Sequence, residues 1–214
     1  MSFHMITITV ELVLAALLVI VLMNIFKKKP APPPAPAAPV PDLANLGPAD
    51  ARTGDAISIS GAGDQMTDLD FTIDRTTWVQ AGSRTWLEFS GPYRERRVTM
   101  RVATNEEVEV ALHSDPRKLT LEDAGVSEDD LGQMDERQNT GDSFEYDGKI
   151  WLYRFSREAQ SKRDDQPQST GFYYWEFHEQ DGKGILAIRK LEGEPFSVTR
   201  FIEILPADVT VYRR

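Results

Sequence analysis

Few residues in this chain stand at a spacing that carries chemistry. There are three histidines, His4, His113 and His178. Glu176-x-His178 would project two side chains from one face of a strand, but two ligands do not make a zinc site. Asp64-x-x-x-Asp68-x-Asp70 has part of the spacing of a calcium loop. It lacks the turn glycine and the closing bidentate glutamate, and reads as a Gly/Asp turn. No Ser/His/Asp arrangement appears, and Gly61-Ala62-Gly63 neither opens a helix nor leads into Lys-Ser/Thr as a phosphate-binding loop would. The chain has no cysteine, which excludes disulfides, thiolate nucleophiles and cysteine metal sites. The expectation is a protein without cofactor, metal or catalytic set.

The informative polar residues fall in the second half: Ser156-Arg157-Glu158, Arg163-Asp164-Asp165, Glu176, Lys190, Glu192 and Glu194. They flank Gly171-Phe172-Tyr173-Tyr174-Trp175-Glu176-Phe177, in which five of seven residues are aromatic. Such a run favours a half-buried strand. Alternation puts Tyr174, Glu176 and His178 on one face and Tyr173, Trp175 and Phe177 on the other. The Trp175 face is expected to be core. The Glu176 face is then solvent or a binding groove. Read as a site, Arg157, Glu158, Tyr174, Glu176, His178, Lys190, Glu192 and Glu194 form an acidic, aromatic-rimmed surface. It would take a basic protein segment or a polyamine through charge and cation–π attraction. Read otherwise, they are ordinary strand-surface ion pairs, each worth little.

The elements that would position these residues read as strands. Gln180-Asp181-Gly182-Lys183-Gly184 is a hairpin turn leading to a strand over 185–190. An echo lies upstream, where Arg84–Phe89 and Arg96–Ala103 form a similar aromatic hairpin. Asp70–Asp74 and Trp78–Gln80 read as paired strands, 149–156 as a strand, and 156–170 as a long polar loop. Thr-Gly-Asp recurs at 53–55 and 140–142. Together with Trp86 and Trp175, and Arg101 and Arg189, it points to an internal duplication with an offset close to 88. The fold class expected is all-β and mainly antiparallel, a sandwich or two barrel-like lobes. The first β unit is 53–112 and the second 140–214. Between them 113–139 reads as a helical connector, with N-caps at Thr120 and Ser127 and a stop at Gly125.

Residues 5–26 are almost wholly apolar, with Glu11 as the one charge, and long enough to span a bilayer as a helix. Lys27-Lys28-Lys29 follows, so the positive-inside rule leaves residues 1–4 outside and the remainder in the cytoplasm. The lysines open a linker over 27–52. Within it, residues 30–41 hold seven of the 13 prolines and read as an extended polyproline spacer. The formal net charge is −10. Beyond residue 41 there are 21 basic and 33 acidic residues, a net of −12, which disfavours phosphate backbones and hence nucleic-acid binding.

Several short motifs resemble the bacterial family catalogued as domain of unknown function 4178. They are Thr-Trp-Leu-Glu-Phe-Ser-Gly (85–91), Met-Asp-Glu-Arg-Gln (134–138), Ser-Arg-Glu-Ala (156–159), Phe-Tyr-Tyr-Trp-Glu-Phe (172–177) and Lys-Leu-Glu-Gly-Glu-Pro-Phe (190–196). The resemblance covers roughly residues 50–214 and implies a domain that can occur in duplicate. It implies no catalytic residues. It also implies association with membrane-stress proteins, small membrane proteins and polyamine-synthase-like enzymes. The resulting expectation is a non-enzymatic adaptor anchored in the inner membrane, with protein partners there. The alternative is a sensor of a polyamine or similar cation, and a hydrolytic enzyme ranks third. In the full-length chain, Asp181→Cys should be labelled by a membrane-impermeant maleimide only after the cells are permeabilised. Labelling of intact cells would reverse the topology.

Overall fold

The computed structural model describes residues 46–213. The expected membrane helix, its N-terminal flank and the polyproline spacer lie outside the described residues. Among those described, no helix is long and apolar enough to cross a membrane.

Among the described residues the chain forms twelve strands and two short α-helices. Strands β1 (Ala56–Ile59) and β2 (Leu69–Thr72) precede β3 (Arg75–Ala81), β4 (Arg84–Tyr93), β5 (Arg96–Thr104) and β6 (Val108–His113). Helices α1 (Leu121–Ala124) and α2 (Glu128–Arg137) follow. Then come β7 (Ser143–Tyr146), β8 (Lys149–Arg163), β9 (Thr170–Glu179), β10 (Gly184–Lys190), β11 (Ser197–Ile204) and β12 (Val209–Tyr212). Every strand pairing is antiparallel. The order β3-β4-β5-β6-β11-β10-β9-β8 closes on itself through β3 and β8, giving an eight-stranded barrel with β7 added outside β8. A separate sheet has the order β12-β1-β2.

This is neither a sandwich nor two lobes. Each copy of the repeat supplies a four-stranded meander, β3–β6 or β8–β11. The meanders join edge to edge at both seams, β6 with β11 and β3 with β8. A lone meander would leave two unpaired edges, and closure removes both.

Three apolar clusters follow from this architecture. Inside the barrel lie Val79, Trp86, Phe155, Phe172, Tyr174, Ile185 and Phe201. Outside β4–β6, residues Phe89, Val98, Met100, Val102, Val110 and Leu112 are covered by Ile57, Ile59, Leu69, Phe71, Val209 and Val211 of the three-stranded sheet. Outside β8–β11, residues Trp151, Tyr153, Trp175, Phe177, Leu186 and Ile188 are covered by Ala124, Val126, Leu131 and Met134. The helices are held by their caps. The Thr120 and Ser127 hydroxyls accept from the amides of Asp123 and Asp130, at 3.2 Å and 3.1 Å. The same acids reach back to the cap amides, and Gly125 takes the left-handed conformation between the two helices.

Two expected elements differ. β2 pairs with β1, not with β3. At Ile73 and Asp74 the chain passes from the small sheet to the barrel: the Ile73 amide donates to Asp55 and the next amide to Ser90. The polar run after Ser156 is strand rather than loop as far as Arg163, because β3 supplies its ladder from Ala81↔Ala159 to Thr77↔Arg163. A polar sequence is strand-competent once a partner edge is present.

The small sheet docks closely at Gly91. A Cβ there would stand 2.1 Å from the Thr72 carbonyl oxygen and 2.8 Å from the Phe71 ring. Gly91→Ala should therefore force β2 away from β4 and lower the unfolding free energy by about 1–3 kcal/mol, as read by urea denaturation. An unchanged midpoint would show that the small sheet yields freely.

Candidate functional site

The barrel interior is not wholly apolar. Glu88 on β4, Arg101 on β5, Glu176 on β9 and Arg189 on β10 all turn inward. Glu88, Arg101 and Glu176 are buried, and Arg189 is largely so. Trp86 to Tyr174, Glu88 to Glu176 and Arg101 to Arg189 are each 88 positions apart, so the four charges are two copies of one pair. The partners are exchanged between copies. Arg101 of the first copy bonds Glu176 of the second at 2.6 Å. Arg189 of the second bonds Glu88 of the first. Each carboxylate has an aromatic donor two residues before it: Trp86 Nε1 donates to Glu88 at 2.9 Å, and the Tyr174 hydroxyl donates to Glu176 at 2.7 Å. The two rings lie 5.3 Å apart between the pairs. The Arg101 guanidinium sits 4.3 Å from the Trp86 ring, and that of Arg189 sits 5.2 Å from Phe172.

Burial pushes the Glu176 carboxyl up, but Arg101, His178 and Tyr174 together pull harder and hold it well below the usual carboxylate range. Glu88 is likewise pushed up by burial and brought below its ordinary value by Arg189. The Tyr174 hydroxyl is raised by burial and by Glu176. The interior thus holds two directly bonded carboxylate–guanidinium pairs with the Trp86–Tyr174 aromatic pair between them.

At one end this arrangement opens into a cavity of about 570 Å³. Glu176 and Arg101 form its floor. His178 Nε2 stands 3.0 Å from Glu176 Oε1. Arg84 reaches the same oxygen at 3.5 Å and lies over the Phe155 ring at 4.4 Å. The wall includes Ala103, Ala111 and Ile185, and the rim carries Glu109 and Glu203. Both rim acids are exposed, and neither makes an ion pair among the described residues. Counting histidine as neutral, the two arginines against three glutamates leave the cavity one excess negative charge.

The structure brings together only part of the predicted set. Tyr174, Glu176 and His178 share a face as alternation requires. That face is the barrel interior, where Glu176 is only 1% exposed, because the sheet that carries it closes on itself. Arg157 instead bonds the Gln138 side chain at the end of α2, at 2.6 Å. Glu158 lies exposed beside Gln80 and Gly82. Lys190 turns back on its own turn, bonding the Glu194 carbonyl at 2.8 Å and covering Phe196, while Glu192 and Glu194 are exposed there. There is no single acidic surface built from these eight residues. Sequence reading missed Glu88, Arg84, Glu109 and Glu203 as site residues. It singled out Arg101 and Arg189 for their offset without assigning them to the site, and that offset was the signal that could have found Glu88.

A second polar cluster fastens α2 to the barrel. Asp135 accepts from the Tyr173 hydroxyl at 2.7 Å, from Gln138 at 3.0 Å and from the buried Ser156 hydroxyl. Burial, then Asp135, pushes the Tyr173 hydroxyl up to about 12. These contacts join the motifs at 134–138, 156–159 and 172–177, which gives them a structural reason to occur together. Among the described residues no three His, Asp or Glu side chains are grouped to hold a metal.

No family model, curated protein or solved structure matches the chain.

Removing one partner of a buried pair strands the other charge. Glu176→Gln should cost about 3–5 kcal/mol at pH 7, while Glu176→Leu with Arg101→Met should recover most of that loss. The carboxyl is depressed in the folded state, so its contribution is complete above the unfolded value near 4.3 and fades as pH falls below it. Denaturation of wild type and Glu176→Gln from pH 7 to pH 2 should show the gap narrowing below about pH 4. A constant gap would mean that Glu176 acts by shape alone.

Proposed function

We propose that this domain is a non-enzymatic binding module for a small organic cation, tethered to the bacterial inner membrane with the barrel in the cytoplasm. The observation that carries the reading is the cavity over Glu176, with two unengaged acids on its rim. A concave site with a few convergent polar groups is where small ligands bind. The excess negative charge selects a cation, and Glu109 and Glu203 are free to receive an ammonium group. The Phe155 ring is already capped by Arg84, so attraction to the ligand rests on the carboxylates rather than on a cation–π cage. The apolar wall suits the methylenes of a polyamine or similar chain. The charged groups on the floor are engaged with one another, which favours holding a ligand over transforming it.

The second reading is an adaptor of a membrane-associated complex. It is favoured by the sequence of residues 5–41, with its apolar span, lysine flank and proline spacer. It draws on the resemblance to the domain of unknown function 4178 family, which we carry forward as a proposal resting on the short motifs. The readings are compatible, since a sensor must report to something.

Spermidine and putrescine should stabilise the full-length protein in detergent against heat, by mass action. Binding measured by calorimetry should weaken at least tenfold in Glu109→Gln/Glu203→Gln, a change of about 1.4 kcal/mol or more. Both residues are exposed, so the variant should melt at the wild-type temperature without ligand. If neither amine binds, or the double variant binds equally well, the cation reading fails and the adaptor reading takes its place.

A further inference from the structure

The opposite end of the barrel has the reverse chemistry. β5 enters the barrel at Arg97 and leaves beside the Glu176 cavity; β3, β8 and β10 likewise run between the two ends. Around the Arg97 end lies a second cavity of about 280 Å³. It is lined by Arg75, Arg97, Arg163 and Arg189 against one acid, Glu88. Three of these arginines are engaged: Arg97 with Asp74 at 2.6 Å and 2.8 Å, Arg163 with Asp165 at 2.6 Å, and Arg189 with Glu88. Arg75 makes no ion pair among the described residues, so the cavity keeps one positive charge in excess.

The Nε–H groups of Arg163 and Arg189, like those of Arg96 and Arg200 away from this cavity, are buried without an acceptor among the described residues. Buried donors are normally satisfied, and an orphaned charged donor costs more than a neutral one. The hydroxyls of Thr77, Thr99 and Ser161 also line this cavity. Ser90 joins them, accepting from Arg97 at 3.2 Å and keeping its own proton to donate. The site is rich in donors and short of acceptors. Its volume is several times the ~30 Å³ that a water occupies in the liquid.

We infer that this second mouth is a binding site for a small oxyanion, a phosphate or a carboxylate, held by Arg75 with the neighbouring guanidiniums of Arg97 and Arg163 and the hydroxyls of Thr77, Thr99 and Ser161. Arg75 has no carboxylate of its own among the described residues, and guanidinium forks match the geometry of phosphate and carboxylate. The two mouths are floored by the two copies of one ion pair, so the duplication has produced one cation-selecting end and one anion-selecting end. The oxyanion site stands on its own residues and does not depend on the cation reading.

The test uses the full-length protein in detergent at constant ionic strength set with chloride. Pyrophosphate, inorganic phosphate and succinate are titrated by calorimetry and by thermal denaturation. At least one should bind saturably and raise the melting temperature beyond chloride. Preference for the phosphates or for succinate identifies which oxyanion class fits. Arg75→Gln/Arg163→Gln should weaken that binding at least tenfold and leave spermidine binding unchanged, and Arg75→Lys should retain part of it. Glu109→Gln/Glu203→Gln should leave oxyanion binding unchanged. Circular dichroism of each variant establishes that it is folded, and the wild-type titration stands without them. No saturable binding of any of the three anions, or equal affinity in the folded double glutamine variant, would overturn the proposal.

Discussion

The exchange of ion-pair partners between the two copies is the constraint on which the rest of the molecule depends. A carboxylate taken out of water costs several kcal/mol unless a counter-charge and hydrogen bonds replace its hydration. Glu88 already faces Arg101 across the β4–β5 ladder, yet Arg189 of the other copy bonds it, and Arg101 is turned to Glu176. Neither meander can therefore bury its own acid with its own base in this arrangement. The two must close on one another, which also completes the backbone ladders at both seams. Charge pairing and sheet closure impose the same geometry. That agreement of levels separates one barrel from the two lobes that a duplicated sequence equally suggests.

Closure then decides what the outer faces must do. Strands whose interior is filled by Trp86, Phe172 and Tyr174 still carry Phe89 and Met100 on one outer side and Trp175 and Phe177 on the other. Left bare, these would be apolar patches of the kind that drive association. One side is covered by strands drawn from both ends of the described chain, since β12 pairs with β1. The other is covered by α1 and α2, which the cluster of Asp135, Ser156 and Tyr173 fastens to the barrel. The connector between copies is thus a lid on the second meander, and the small sheet is a lid on the first.

Much of this was legible in the sequence, and the failures have two causes, a register slip and partner strands distant in the chain. Strand type, the two helices with their caps, and the pairing of faces on β9 followed from local periodicity and turn chemistry. The repeat was visible too, but aligning Trp86 with Trp175 put it one residue out of register. Trp86 points inward, so its counterpart is Tyr174, and a shift of one residue inverts every side chain of a strand. With the register corrected to 88, Glu88 and Glu176 align, and the crossed pairs could have been anticipated from the two arginines. The burial of Glu176 and the continuation of β8 to Arg163 depend on a partner strand distant in the chain. Local pattern carries no information about that partner. The scatter of Arg157, Glu158 and Glu192 has the same origin, because closeness in sequence to an aromatic strand was taken for closeness in space.

The charged interior also limits what the barrel can hold. A barrel of this strand number has room for side chains or one small ligand, and an apolar lining would suit an apolar guest. Here any guest at the floor of either mouth meets a carboxylate and a guanidinium already engaged with each other. An apolar group placed there would strip solvent from those charges and offer nothing in exchange. A guest with its own charge can instead join the pair from the open side, with the rim residues setting the sign. Trp86 and Tyr174, packed against each other at 5.3 Å, fill the space between the two floors. Two polar mouths thus lie back to back among the described residues, each with an ion pair at its base and each edged by residues that differ between the copies.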